Sequence, residues 1–163
     1  MYARVALRDV GLLAGALVIW GVDASLRGGE GVAPFAVGLL AGVLAGLCAY
    51  LAHEWGHLLG ARLGGAVVHP PSRVATVFLF NFDSDANGPR EFVWMSCGGF
   101  ALSLVGLVFV LTALPFDAVS GRVALTVTML GVLATAVLEL PPFFRVLRGG
   151  AIPRGLGYRT ADS

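Results

Sequence analysis

Charge is scarce in this sequence. Only 13% of its 163 residues are Asp, Glu, Lys or Arg, against about 25% in an average soluble domain. Lysine is absent altogether, so all eleven basic residues are Arg, and ten acidic residues almost cancel them. A balance so near zero offers no basic surface and excludes a nucleic-acid partner. Cysteine occurs twice, at Cys48 and Cys97, both within apolar runs. Two such residues make no disulfide framework and are read as buried free thiols. No internal repeat and no low-complexity linker occurs, which argues against an alternating-access transporter and for one domain over 1–163.

What is present is apolar. Residues of that kind make up 57% of the chain, and the charges are clumped, leaving long stretches with none. Lipid suits such a chain better than water. The expected fold class is a membrane all-α protein of about four transmembrane helices, near 10–27, 33–63, 92–114 and 122–144. The first apolar run follows Arg4 and Arg8 and stops before Asp23. A signal peptide shares that layout, but an anchor helix is preferred because further spans follow and Asp9 and Asp23 frame it poorly for cleavage. Pro34 suits the first turn of the second helix. Gly42, Gly46, Gly98, Gly99 and Gly106 suit close helix approach in a bilayer, and such spans also allow an oligomer. Met95 and Met129 read as core filler.

Arginine placement sets an expected orientation. With the N-terminus inside, the cytoplasmic segments hold Arg4, Arg8, Arg62, Arg73, Arg90, Arg145, Arg148, Arg154 and Arg159, and the outer loops hold Arg27 and Arg122. Both termini are therefore expected in the cytoplasm, in a multi-pass protein of a plasma or inner membrane.

Residues 66–90 differ in kind from the spans. Val74 to Phe82 is β-branched and aromatic, and the run from Asp83 to Pro89 is dense in turn formers. A short strand or hairpin is expected here, lying at the interface or against protein because an open edge cannot face lipid. Such an edge could hold an extended peptide, which makes Val74, Val77, Phe78, Leu79 and Phe80 the candidate substrate-binding residues.

The chemistry lies in His53-Glu54-Trp55-Gly56-His57. Two His four apart project from one helix face and can bind one Zn²⁺ through their imidazoles. Glu54, beside the first ligand, is placed to act as general base on the attacking water. Ionisable residues inside a span are expensive and functional by default, and here three crowd one turn. Trp55 reads as a packing residue or interface anchor. A catalytic zinc usually takes three protein ligands, so one more is needed. Glu139, His69, Asp83 and Asp85 are the candidates. Depth favours Glu139: measured from Arg62 the motif lies about 10 Å inside, and measured from Arg145 Glu139 lies about 9 Å inside. His69 is next, and Asp83 and Asp85 read mainly as turn residues.

HEWGHLLGARLGG resembles the His-Glu-x-Gly-His helix and following Gly pair of the site-2 protease family of intramembrane zinc metalloproteases. A β-rich stretch follows, and then GGFALS, similar to the Gly-Pro-x-x-Asn stretch of that family's next core helix, with Ser103 where Asn is usual. The similarity in order covers about residues 33–148. It implies hydrolysis of a peptide bond in or near a transmembrane segment of a membrane protein. The family's third ligand is an Asp in the last core helix. Here that region reads LELPPFFRVLRGG, so either Glu139 substitutes from one turn earlier, or the ligand set differs, or the protein has lost activity. No regulatory domain is recognised, so a minimal member is expected. A metal-binding protein of the same fold that does not cleave, or a zinc hydrolase acting on a lipid, would carry the same motif.

Overall fold

The computed structural model describes residues 1–155 and 157–159. Helix α1 (Tyr2–Leu26) leads into α2 (Val32–Gly64), then α3 (Pro89–Ala113), α4 (Val119–Leu138) and the short α5 (Leu140–Leu147). Among the described residues, four helical segments are long and apolar enough to cross a bilayer: α1, α2, α3, and α4 with α5. Many of their largest apolar side chains, Leu17, Val18, Leu104, Leu130 and Val137 among them, are exposed on the outside of the bundle. A surface of that kind needs lipid around it, so the chain is an integral membrane protein.

The first helix starts earlier than its apolar run, because Arg4 and Arg8 lie within it. Arg8 is accommodated by pairing with Asp9 at 2.7 Å and by donating to the carbonyls of Val74 and Thr76. Both acidic residues that bracket the run are buried and partnered. Asp9 accepts from the Trp55 indole N–H of α2 at 3.0 Å, and Asp23 accepts from Ser120 of α4 at 2.7 Å and from Arg27 at 3.2 Å. These contacts, with Val5 packed into the core, dock α1 on the bundle as a helix of the fold.

Helices α2 and α3 meet backbone to backbone. A Cβ on Gly98 would come within 2.9 Å of the Gly60 Cα and N, an approach only glycine permits. Gly65 ends α2 in the left-handed region at φ 80° and returns its N–H to the last turn, so the Gly pair is a helix stop. Pro89 opens α3 in its first turn, and Glu91 reaches back to the Gly88 N–H at 2.9 Å.

Between the second and third spans lies a small sheet. Strand β1 (Val68–His69) pairs antiparallel with β2 (Asn81–Asp83), as expected of an insertion here, but the strand lies elsewhere than the composition suggested. Residues 70–80 are irregular, and only the last two residues of the expected strand are in one. The reason is hydrogen bonding to distant side chains. Arg8 takes the carbonyls of Val74 and Thr76, the Tyr50 hydroxyl donates to the Val77 carbonyl, and the Leu79 N–H donates to Glu54. Those backbone groups are then unavailable to a ladder. A third strand, β3 (Tyr158–Arg159), lies parallel on the other side of β2. Two smaller expectations are also corrected. The thiols are free, but Cys97 is exposed on the outer face of α3 and Cys48 only half-buried. Met95 is in the core, whereas Met129 faces outward.

Candidate metal centre

The site forms where α2, α3 and the junction of α4 with α5 converge. His53 and His57, one turn apart, put both rings on the α3 side of α2, with centroids 4.4 Å apart. Each ring is held through Nδ1. His57 Nδ1 lies 3.0 Å from the Met95 carbonyl, and His53 Nδ1 lies 2.8 Å from Ser103 Oγ and 3.2 Å from the Gly99 carbonyl. Small residues make this possible: a Cβ on Gly99 would fall 2.6 Å from His57 Nδ1.

Glu139 arrives from the far end of the chain. It is the single residue between α4 and α5, capping the C-terminus of one and the N-terminus of the other, where Pro141 and Pro142 interrupt the helix. Its N–H still bonds Thr135 at 2.9 Å and its carbonyl accepts from Phe143 at 3.0 Å, so the break is short and fixed. The carboxylate reaches both rings, with Oε1 3.1 Å from His53 Nε2 and Oε2 3.2 Å from His57 Nε2. The two Nε2 atoms are 3.0 Å apart.

The three groups form a candidate ligand set. A carbonyl oxygen only accepts, so the neutral tautomer that donates from Nδ1 suits the Met95 and Gly99 carbonyls and leaves each Nε2 with a lone pair. In that tautomer two lone pairs and a carboxylate face one centre. Glu139 Oε2 is buried there without a hydrogen-bond donor. A cation would satisfy all three. Tetrahedral zinc with bonds of about 2.0–2.1 Å separates its ligands by about 3.3 Å, within a few tenths of an ångström of the observed 3.0–3.2 Å. The donor set therefore fits zinc, with Met95, Gly99 and Ser103 holding the ligands from behind.

Glu54 stands beside this set. It is buried, and its Oε2 accepts the Leu79 N–H at 3.3 Å. With His57 and Glu139 it lines a cavity of about 300 Å³. His53 borders a second cavity, of about 340 Å³, on the α4 side, where the Thr128 hydroxyl is buried without a partner among the described residues.

Of the other ligand candidates, His69 and Asp83 pair with each other at 2.9 Å across β1 and β2, and Asp85 pairs with Arg154 at 2.8 Å. These three lie outside the ligand set formed by His53, His57 and Glu139. The residues expected to touch a peptide are divided. Phe78 and Phe80 line the cavity, and Leu79 is buried and bonded to Glu54. Val77 is exposed, and Val74 is half-buried with its carbonyl on Arg8. Sequence reading missed Asp9 as the partner of Trp55, although a carboxylate beside an apolar run is a signal worth following. It also missed Tyr158, which lines the cavity from β3 and for which the sequence holds no local cue.

No family profile, no curated protein and no solved structure matches the chain.

Proposed function

We propose that the chain is an intramembrane zinc metalloprotease of the site-2 protease kind, hydrolysing a peptide bond in or near a transmembrane segment of another membrane protein. The observation that carries the reading is the convergence of three potential ligand atoms, His53 Nε2, His57 Nε2 and a Glu139 oxygen, beside a buried carboxylate. Bound zinc supplies Lewis acidity, polarising a carbonyl and acidifying water. Glu54 takes the proton of the attacking water and passes it to the departing amine nitrogen. Leu79, through its N–H, holds the Glu54 carboxylate toward the cavity. Phe78 and Phe80 give that cavity an apolar wall suited to an unwound membrane segment. The arginine bias supports cytoplasmic termini in a plasma or inner membrane, which sets the ligands about 10 Å from the cytoplasmic face, within reach of water.

The test is zinc content together with cleavage. Wild type is expected to bind one zinc per chain, and His53→Ala and Glu139→Ala to lose about 100-fold or more in affinity. Glu54→Gln is expected to keep the zinc and stop cleavage of a co-expressed single-span substrate. Full zinc occupancy in Glu139→Ala would remove it from the ligand set, and cleavage by Glu54→Gln would end the protease reading.

A further inference from the structure

Strand β2 has partners on both edges, and the second belongs to the chain's own C-terminal segment. The Phe82 N–H donates to the Gly157 carbonyl at 3.0 Å, and Phe82 stands opposite Tyr158 in the parallel register. The Tyr158 ring packs edge-on against Phe82 and beside Phe92, with centroids 6.2 and 6.5 Å away. Gly157 and Tyr158 line the same cavity as Glu54, His57 and Glu139. An extended segment laid on this edge therefore runs along the wall of the metal centre.

Among the described residues the segment's strand is two residues long, Ile152 and Tyr158 pack against the core, and its polar side-chain anchors include the Ser84 hydroxyl on the Pro153 carbonyl at 2.8 Å and the exposed Arg154–Asp85 pair. Surface pairs of that kind contribute little. Peptides added to a sheet edge gain affinity from main-chain bonds and specificity from the side-chain pockets they reach. Here one such pocket, the aromatic socket of Phe82 and Phe92, is already filled.

We infer that the β2 edge is the site for an extended peptide, that the Phe82–Phe92 socket is its subsite for an aromatic side chain, and that Tyr158 occupies this subsite in the resting chain. The inference rests on the protease reading for its substrate and adds where that substrate docks and what it must displace. A competing segment needs a free acceptor carbonyl for the Phe82 N–H and an aromatic residue one position later. That order is the one Gly157 and Tyr158 present.

Two full-length variants test it. Tyr158→Ala is expected to speed exchange of the Phe82 amide by about two- to tenfold, the range an aromatic pair is worth. Adding a capped Val-Ala-Tyr-Val peptide should slow it again, whereas the same peptide with Ala for Tyr should not. In a Cys48→Ala, Cys97→Ala background, a disulfide between S84C and P153C should stop cleavage of the single-span substrate with zinc retained, and reduction should restore it. Cleavage at an undiminished rate by the clamped chain, or no peptide protection of Phe82 in Tyr158→Ala, would overturn the inference. If no form of the protein cleaves, the protease reading fails, and the exchange experiment alone decides whether the edge takes a peptide.

Discussion

At the residue scale the site depends on what stands behind the ligands as much as on the ligands themselves. His57 can turn its Nε2 toward Glu139 because Nδ1 is engaged by the Met95 carbonyl and because Gly99 leaves the ring its space. Gly99→Ala would put a methyl group against the imidazole, and a displaced ligand costs about 10–100-fold in metal affinity. Gly106→Ala is the control, since its Cβ would make an ordinary 3.7 Å contact with Ala49. Zinc titration against a competing chelator should therefore separate the two variants, and equal affinities would show that the His57 ring has room to move. That His53, His57 and Glu139 would cluster was legible in the sequence for a simple reason. Two His at helical spacing inside an apolar run have few other uses, and Glu139 matched them in depth. Ser103, behind His53, could be located only by analogy, because a serine in an apolar helix carries no distinguishing pattern.

At the scale of elements, hydropathy located the spans and composition the β insertion between the second and third, but not the residues of its strands, and each outcome has a cause. A span is decided by the solvent around it, so composition over about 20 residues suffices. The segment 74–80 is decided by Arg8, Tyr50 and Glu54, which arrive from other helices and take its backbone groups. Propensity within the segment says nothing of them. The sheet that does form carries a cross-strand pair, His69 on β1 and Asp83 on β2. The hydrogen bond from His69, with that from the Ala86 N–H, holds the Asp83 carboxyl below its ordinary value. A lowered carboxyl value means that Asp83 stabilises the fold above the unfolded value of about 3.9 and loses that contribution as the pH falls through the folded one. Protection of the β1 amides should therefore be lost progressively as the pH falls below the unfolded carboxyl value of about 3.9. Asp83→Asn should show weaker protection at neutral pH and no such step. An unchanged acid step in Asp83→Asn would place the transition on another group.

At the scale of the whole molecule, the bundle is assembled by a few polar contacts set into apolar helices. Asp9 with Trp55 ties α1 to α2, and Asp23 with Ser120 ties α1 to α4. The His53–His57–Glu139 cluster is the third such contact and joins α2 to the α4–α5 junction. Between helices in lipid the hydrophobic drive is small, so such contacts carry an unusual share of the specificity of assembly. A cation bound by the folded bundle, whose ligands come from residues 53, 57 and 139, has no comparable site in the separated helices. Under the proposed zinc assignment, binding would raise the stability of the bundle by mass action, by about 2.7 kcal/mol at a free concentration 100 times Kd. Thermal unfolding of the detergent-solubilised protein should shift upward as zinc is added to wild type and to Glu54→Gln, which keeps all three ligands. It should not shift in His53→Ala or Glu139→Ala. A rise of equal size in Glu139→Ala would mean that zinc stabilises the chain elsewhere, and the α4–α5 junction would then be held by packing alone.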